Sequence, residues 1–413
     1  MKVGAPKCRF CGDTLSFSLV DLGSTPLANS FLKKEELAKP EPSYPLHARV
    51  CGSCFLVQVE PVVPASHIFG DYLYFSSYSA SWVAHAKNFA AIATDRWCLG
   101  ASSLVMEIAS NDGYLLRHFV QKGIPVLGIE PAANVAAVAE AVGVKTKVAF
   151  FGKKTGQQLA TEGYEADLVV ANNVLAHVPD INDFLSGFSL ILKSTGVLSI
   201  EFPHLLKLLD NVLFDTIYHE HYSYLSLLTV ERMLAQHNLR AFDVEYLLTH
   251  GGSLRVWIGR ADGVARKETA ALQEIRQQEL NAGLNNLSAY QGFSRKVDAA
   301  KTSLRTFLED AKLAGKQVVV YGAPAKGNTL LNTCDIDDRL IAYAVDVSPH
   351  KQGRFLPGSH LPIYAPEQLR ATRPDYVLIL PWNLEIEIIE KNKYIREWGG
   401  RFVLPLPETR VLP

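Results

Sequence analysis

Residues 104–113, Leu-Val-Met-Glu-Ile-Ala-Ser-Asn-Asp-Gly, constrain this chain most. An apolar run reaches an acid, Glu107, and gives way to a tight polar turn. Tyr-Leu-Leu-Arg-His-Phe follows, the pattern of a helix start. A second apolar run ends at Ile129 and closes on Glu130. Strand, turn, helix and a second strand with a terminal carboxylate open a wound α/β sheet built around a nucleoside cofactor. A dinucleotide needs Gly-x-Gly-x-x-Gly so that its pyrophosphate can approach the backbone. Those positions carry Ala109, Asn111 and Tyr114, and Gly113 is out of phase. S-adenosylmethionine has no phosphate and tolerates such a turn. The expected cofactor residues are Glu107 for the methionine amino group, Glu130 for the ribose, and Asn111, Gly113 and Pro131 around the turn. The alternative is a plain helix N-cap at Asn111 or Asp112.

Composition narrows the class. The 413 residues are 48% hydrophobic and 20% charged, with a formal net charge of -1. No polybasic field points to nucleic acid or a membrane surface, and no apolar run approaches the ~20 residues of a membrane span. The first residues lack a signal-peptide core. A cytoplasmic protein is therefore expected, with its six cysteines mostly reduced. Cys8-x-x-Cys11 and Cys51-x-x-Cys54 are separated by 39 residues, and Gly12 and Gly52 favour tight turns beside them. Two such pairs suit one closed, tetrahedral and structural zinc site better than redox chemistry. Cys98 and Cys334 read as small core residues.

The organisation reads as three parts, 1–66, 67–262 and 263–413. The first is a short zinc-stapled module with strands at 17–22 and 48–50, too small to bury a core alone. The second begins with an aromatic cluster that includes Tyr72, Tyr74 and Tyr78, then a helix from about Ser79. Strands are expected at 104–108, 126–129, 168–171 and 197–202, with helices between them. A terminal antiparallel hairpin, 240–248 and 252–258, turns at Thr249-His250-Gly251. Residues 265–315 read as one long amphipathic helical stretch. A second wound unit follows, with strands at 317–321, 340–346 and 376–380. The fold class is thus α/β: a methyltransferase-type wound sheet, a small N-terminal zinc module and a C-terminal Rossmann-like α/β domain.

Three constellations carry chemistry. Thr216–Tyr224 concentrates proton-transfer groups after the fourth wound strand, where ligand crevices lie. On extended backbone His219 and His221 would share one face and Glu220 the other. General acid–base work suits histidine; a metal site or satisfied structural histidines are the alternatives. Asn172-Asn173 and His177 follow the third wound strand and would face the cofactor and the methyl path, His177 being alternatively a capped surface residue. The turn Gly322-Ala-Pro-Ala-Lys-Gly-Asn328 opens a helix. Its N–H groups with Lys326, Asn328, Lys351 and Arg354 would cradle a diphosphate, or else form a tight turn with solvated lysines.

In this order the motifs resemble the sugar C-methyltransferases of deoxysugar biosynthesis. The resemblance rests on the cysteine pairs, Tyr-x-Tyr-x-Ser-Ser-x-Ser at 72–79, Glu107–Gly113, Asn172–His177, Tyr218–Tyr222 and Tyr321–Asn328. It covers nearly the whole chain and looks most like a 3-C-methyltransferase acting on a dTDP-4-keto-deoxysugar. Ala109 stands where that family often has Gly. The resemblance implies that His221 removes the proton at carbon 3. Tyr218 and Glu220 would orient it or bind the sugar, and His177 and Tyr72 would meet the keto oxygen. It also implies a methyltransferase domain at 67–262, a nucleotide-sugar domain at 263–413 and no catalytic metal. A monomer or weak oligomer is expected. An O- or N-methyltransferase of another small metabolite is the alternative function, and needs no carbon-acid base.

Overall fold

The computed structural model describes residues 5–64 and 75–412, arranged on three sheets. The first pairs β1 (Phe17–Thr25), β2 (Tyr44–Val50) and β3 (Val57–Val59) antiparallel. In β2 the alternate residues Leu46, Ala48 and Val50 are fully buried, the period-two pattern of a one-sided sheet. This sheet does not stand alone. Its fourth strand, Ser223–Tyr224, comes from the middle of the chain and pairs with Val57 and Gln58.

The central sheet holds β4 (Val105–Ile108), β5 (Val126–Glu130), β6 (Thr146–Val148), β7 (Ala166–Asn172) and β8 (Leu192–Pro203), all parallel. With Ser223–Tyr224 counted as β9, the hairpin β10 (Leu239–Leu247) and β11 (Ser253–Arg260) completes it antiparallel, in the order β10-β11-β8-β7-β4-β5-β6. All four residues of β4 are buried, as a strand covered on both faces requires. Strand β6, Thr-Lys-Val, is a short edge strand without apolar character and so gave no sequence signal. From β4 the chain winds outward both ways. The switch point between β4 and β7 opens a crevice at their carboxyl ends.

The third sheet runs β14-β13-β12-β15-β16-β17. Its parallel members are β12 (Val318–Tyr321), β13 (Ala344–Val345), β14 (Ile363–Tyr364), β15 (Tyr376–Ile379) and β16 (Arg401–Leu404); β17 (Arg410–Val411) is antiparallel. Residues 265–315 are two helices, Ala270–Asn281 and Phe293–Leu313, not one. Gly283 and Gly292, both at positive φ, turn the chain between them. Cys98 is also corrected: it follows helix Ala80–Arg96 at φ 50° and is exposed, whereas Cys334 is buried.

Packing joins the parts. Leu46 and Val57 share an apolar cluster with Leu304, Leu308, Val320 and Leu330, while Cys51, Cys54 and Leu56 join Met106, Ile108 and Val169. Each fully buried leucine contributes roughly 1.5–3 kcal/mol, so the N-terminal module is held against both larger sheets. No helix among the described residues is long and apolar enough to cross a membrane.

Candidate active site

The ligand edges of the central and C-terminal sheets face one cavity of about 680 Å³. On the central side, Ala109, Asn111, Tyr114, Glu130, Pro131, Asn172 and Asn173 line it. Ala109, Asn111, Asn173 and His250 adopt left-handed φ of 49–56°. For Ala109 this conformation costs about 1–2 kcal/mol relative to a right-handed one, which is a physical reason for glycine at that place. Four such residues on one wall fit the concentration of backbone strain at functional sites.

The Glu130 carboxylate accepts from the Asn111 and Ala132 N–H groups, each at 2.9 Å. Each oxygen keeps a lone pair for a ribose hydroxyl. The Asn172 Oδ1 and both polar atoms of the Asn173 amide are buried with no partner among the described residues. Buried polar groups rarely stay unpaired, so this wall fits a polar nucleoside ligand. Two of the expected cofactor residues stand behind the cavity wall. Glu107 does not line the cavity: burial holds its carboxyl well above the usual range, Tyr114 donates to it, and Tyr114 reaches the wall. Gly113 also lies behind the wall, where a Cβ would come within 3.0 Å of the Val144 side chain. The N-cap alternative fails, because helix Leu116–Val120 starts at Leu115 with no side-chain cap. Asn111 Oδ1 accepts from Ser76 N–H and Asp112 Oδ2 from Ser77 N–H, so these side chains tie down the short turn Ser76–Tyr78.

The proton-transfer cluster occupies the next part of the wall. His221 Nδ1 lies 2.9 Å from the Thr216 carbonyl, which can only accept, so Nδ1 carries the hydrogen. Nε2 then offers its lone pair and receives the Tyr218 hydroxyl at 2.7 Å. The rings of His177 and His221 meet edge to face at 4.6 Å. Burial lowers all three histidines of the wall: His177 and His250 to about 4, and His221 well below the usual imidazole range. They are neutral near pH 7. His250, in the hairpin turn Thr249–Gly251, is a wall residue that the sequence pattern marks only as part of a turn. A histidine between a β-strand and Gly-Gly was its only sequence signal.

The extended-strand expectation for 218–222 fails, because this segment turns and the two histidines part. His219 Nε2 faces the Tyr44 and Pro45 carbonyls at 3.3 and 3.2 Å, a structural anchor to β2. Glu220 does not line the cavity either. It accepts from Asn29 at 2.7 Å, and Asn29 is on the wall. Burial pushes the Glu220 carboxyl up to about 7. The unfolded chain ionises first, so the contribution of Glu220 to folding stability is fully present below about pH 4.5 and is lost as pH rises through about 7. Glu220→Gln should remove this slope, worth on the order of 2–3 kcal/mol. Denaturant melts at pH 5 and pH 8 measure it; an unchanged slope would assign the loss to another group. Tyr72 lies outside the described residues.

The C-terminal turn departs most from expectation. Asp346 already takes the Ala323 N–H at 2.7 Å, and Lys351 donates to the Ala323 carbonyl at 2.9 Å and pairs with Asp346 at 3.5 Å. A carboxylate thus occupies part of the presumed phosphate cradle. Asn328 is fully buried and donates to the Ala28 carbonyl at 2.6 Å, and Arg354 does not line the cavity. Lys326 and Lys351 do.

Away from the cavity, the sulfur atoms of Cys8, Cys11, Cys51 and Cys54 lie within 4.8 Å of one another. A tetrahedral ion with Zn–S of ~2.3 Å needs sulfurs about 3.8 Å apart, so the four fit structural zinc. Cys8 to Cys54 at 3.5 Å and Cys11 to Cys51 at 3.4 Å are too long for disulfides.

Three family models match in series: a zinc binding domain over residues 8–69, a methyltransferase domain over 83–244 and a C-methyltransferase C-terminal domain over 248–407. The C-methyltransferase NovU of Streptomyces niveus is 37% identical over 406 residues, 98% of this chain and 96% of that one. The chain belongs to the C-methyltransferase family. This C-methyltransferase uses S-adenosylmethionine and carries structural zinc. A ubiquinone biosynthesis O-methyltransferase of Rhodopseudomonas palustris (strain BisA53) is 27% identical, over only 23% of this chain and 38% of its own. A solved magnesium protoporphyrin IX methyltransferase of Synechocystis PCC 6803 overlays 43% of this chain and 79% of its own, at 15% identity and a TM-score of 0.33, a likeness too loose to carry an argument.

Proposed function

We propose that this C-methyltransferase methylates carbon 3 of a dTDP-4-keto-deoxysugar through an enolate. The observation that carries the reading is the Tyr218–His221 pair: a neutral imidazole in a fixed tautomer, its basic nitrogen on the wall of the cavity that also holds the cofactor residues. An O- or N-methyltransferase has no need of a carbon-acid base.

His221 Nε2 takes the proton from carbon 3, acting directly or through the Tyr218 hydroxyl. The C–H electron pair becomes the carbon–carbon π bond, and the carbonyl π pair moves onto oxygen. His177 and His250 line the same cavity. Asn172, Asn173 and Glu130 would hold S-adenosylmethionine, which would supply an electrophilic methyl group for the carbon nucleophile. Lys351, held by Asp346 and the Ala323 carbonyl, would meet the diphosphate on the C-terminal wall. Domains at 1–66, 67–262 and 263–413 give zinc, cofactor and nucleotide-sugar roles respectively.

The test is mass spectrometry of a panel of dTDP-4-keto-deoxysugars incubated with S-adenosylmethionine. A gain of one methyl on carbon is expected for at least one member. Methylation of oxygen or nitrogen instead, or of no member, refutes the reading.

A further inference from the structure

Enolate formation puts a full negative charge on an oxygen inside the cavity, and the three imidazoles there are neutral. Fixed charge opposite that oxygen is where an enzyme gains most. Among the described residues, two lysines line the wall, Lys326 and Lys351. Lys351 is paired with Asp346 and bonded to the Ala323 carbonyl. Lys326 is held differently. Its ammonium sits 4.0 Å from the centre of the Trp382 ring and bonds Asn383 Oδ1. Its acidic neighbour is Asp215, which is fully buried and takes the Trp382 indole N–H at 2.6 Å. The field of Lys326 reaches both His221 and His250 and helps keep each unprotonated.

We propose that the Lys326 ammonium, delivered by the C-terminal sheet, is the cation that neutralises the enolate oxygen, a catalytic role in place of phosphate binding. The proposal rests on the enolate reading above. In the step, His221 gains the proton, the carbonyl oxygen gains the electron pair, and Lys326 keeps its three protons while its charge offsets that oxygen. The lysine then serves a second purpose. Its field adds to burial in keeping His221 a free base until the substrate anion forms.

Solvent deuterium exchange at carbon 3 tests this without methyl transfer. A dTDP-4-keto-6-deoxyhexose is incubated in D₂O with S-adenosylhomocysteine and the full-length protein, alongside binding of dTDP alone. Lys326→Met and Lys326→Gln, the latter able to keep a hydrogen bond in that position, should each exchange at least ~10²-fold slower, with dTDP affinity within about threefold of the parent; Lys326→Arg should recover part of the rate. Burial lowers the lysine to about 8 and Asp215 holds it up. The groups around it are Asp215, His221 and His250, with Lys351 and Asp346 bonded to Ala323 at the start of its turn. Exchange should therefore fall as pH rises past about 8, and Asp215→Asn should move that limb to lower pH. Exchange at the parental rate in both neutral variants overturns the proposal. So does a loss of dTDP affinity with the exchange rate restored at saturation, which would return Lys326 to the phosphate. No exchange in the parent protein refutes the enolate reading itself, and the lysine's role with it.

Discussion

Replacing His221 with Asn should lower methyl transfer by roughly 10²–10⁴-fold, the range general-base catalysis contributes, while leaving S-adenosylmethionine affinity intact. The affinity holds because the proposed cofactor residues Glu130, Asn172 and Asn173 come from β5 and the end of β7, whereas His221 sits in the turn before β9. The acid limb of kcat/KM in the parent protein should lie below the ordinary imidazole range. Burial, His177 and Lys326 all lower His221, so it remains a free base as pH falls through 6.5. Near-normal turnover in the variant, with cofactor bound, would move the base to Tyr218 or His177.

Cys51→Ser should lower the melting temperature by roughly 10 °C or more and lower acceptor methylation with it. Structural zinc supplies on the order of 10 kcal/mol in small domains, comparable with the ~5–15 kcal/mol net stability of a folded protein. The consequence reaches the site because β3 pairs with Ser223–Tyr224, two residues beyond His221. His219 is anchored on the Tyr44 and Pro45 carbonyls of the same sheet. Loosening that sheet frees the turn that holds the base. Calorimetry with metal analysis decides the point; full zinc content lost with no change in melting or activity would separate the metal from the fold.

Legibility in the sequence followed distance along the chain. The two cysteine pairs, the strand ending near Glu107, the second strand ending at Glu130 and the hairpin 239–260 were readable, because each is a local pattern with its own periodicity or turn chemistry. Helix Ala80–Arg96 was readable from Ser79, whose side chain accepts the Trp82 N–H. The long helical stretch was half right: its amphipathic period was real, and the break at Gly283 and Gly292 was lost within it. The failures at the site share a cause. Asn328, expected at a phosphate, donates to Ala28, 300 residues away; Glu220, expected to orient His221 or bind the sugar, accepts from Asn29, 191 residues away. Asp346 entered the phosphate turn from the neighbouring strand end.

The sequence by itself determined the chemistry available. It set the cofactor class through a turn without the glycines a pyrophosphate needs, the zinc through paired thiols, and the proton-transfer groups through their crowding at 216–224. These depend on neighbouring residues, whose relative positions the covalent chain already restricts. Only the tertiary structure decided which of those groups meet. It brought His250 and Lys326 to the wall beside His221, sent His219 away from it, and set Asn29 between Glu220 and the cavity. Such partners are chosen by how three sheets pack, and apolar burial, the force behind that packing, is non-directional: it encodes which faces are covered, not which distant side chains are brought together.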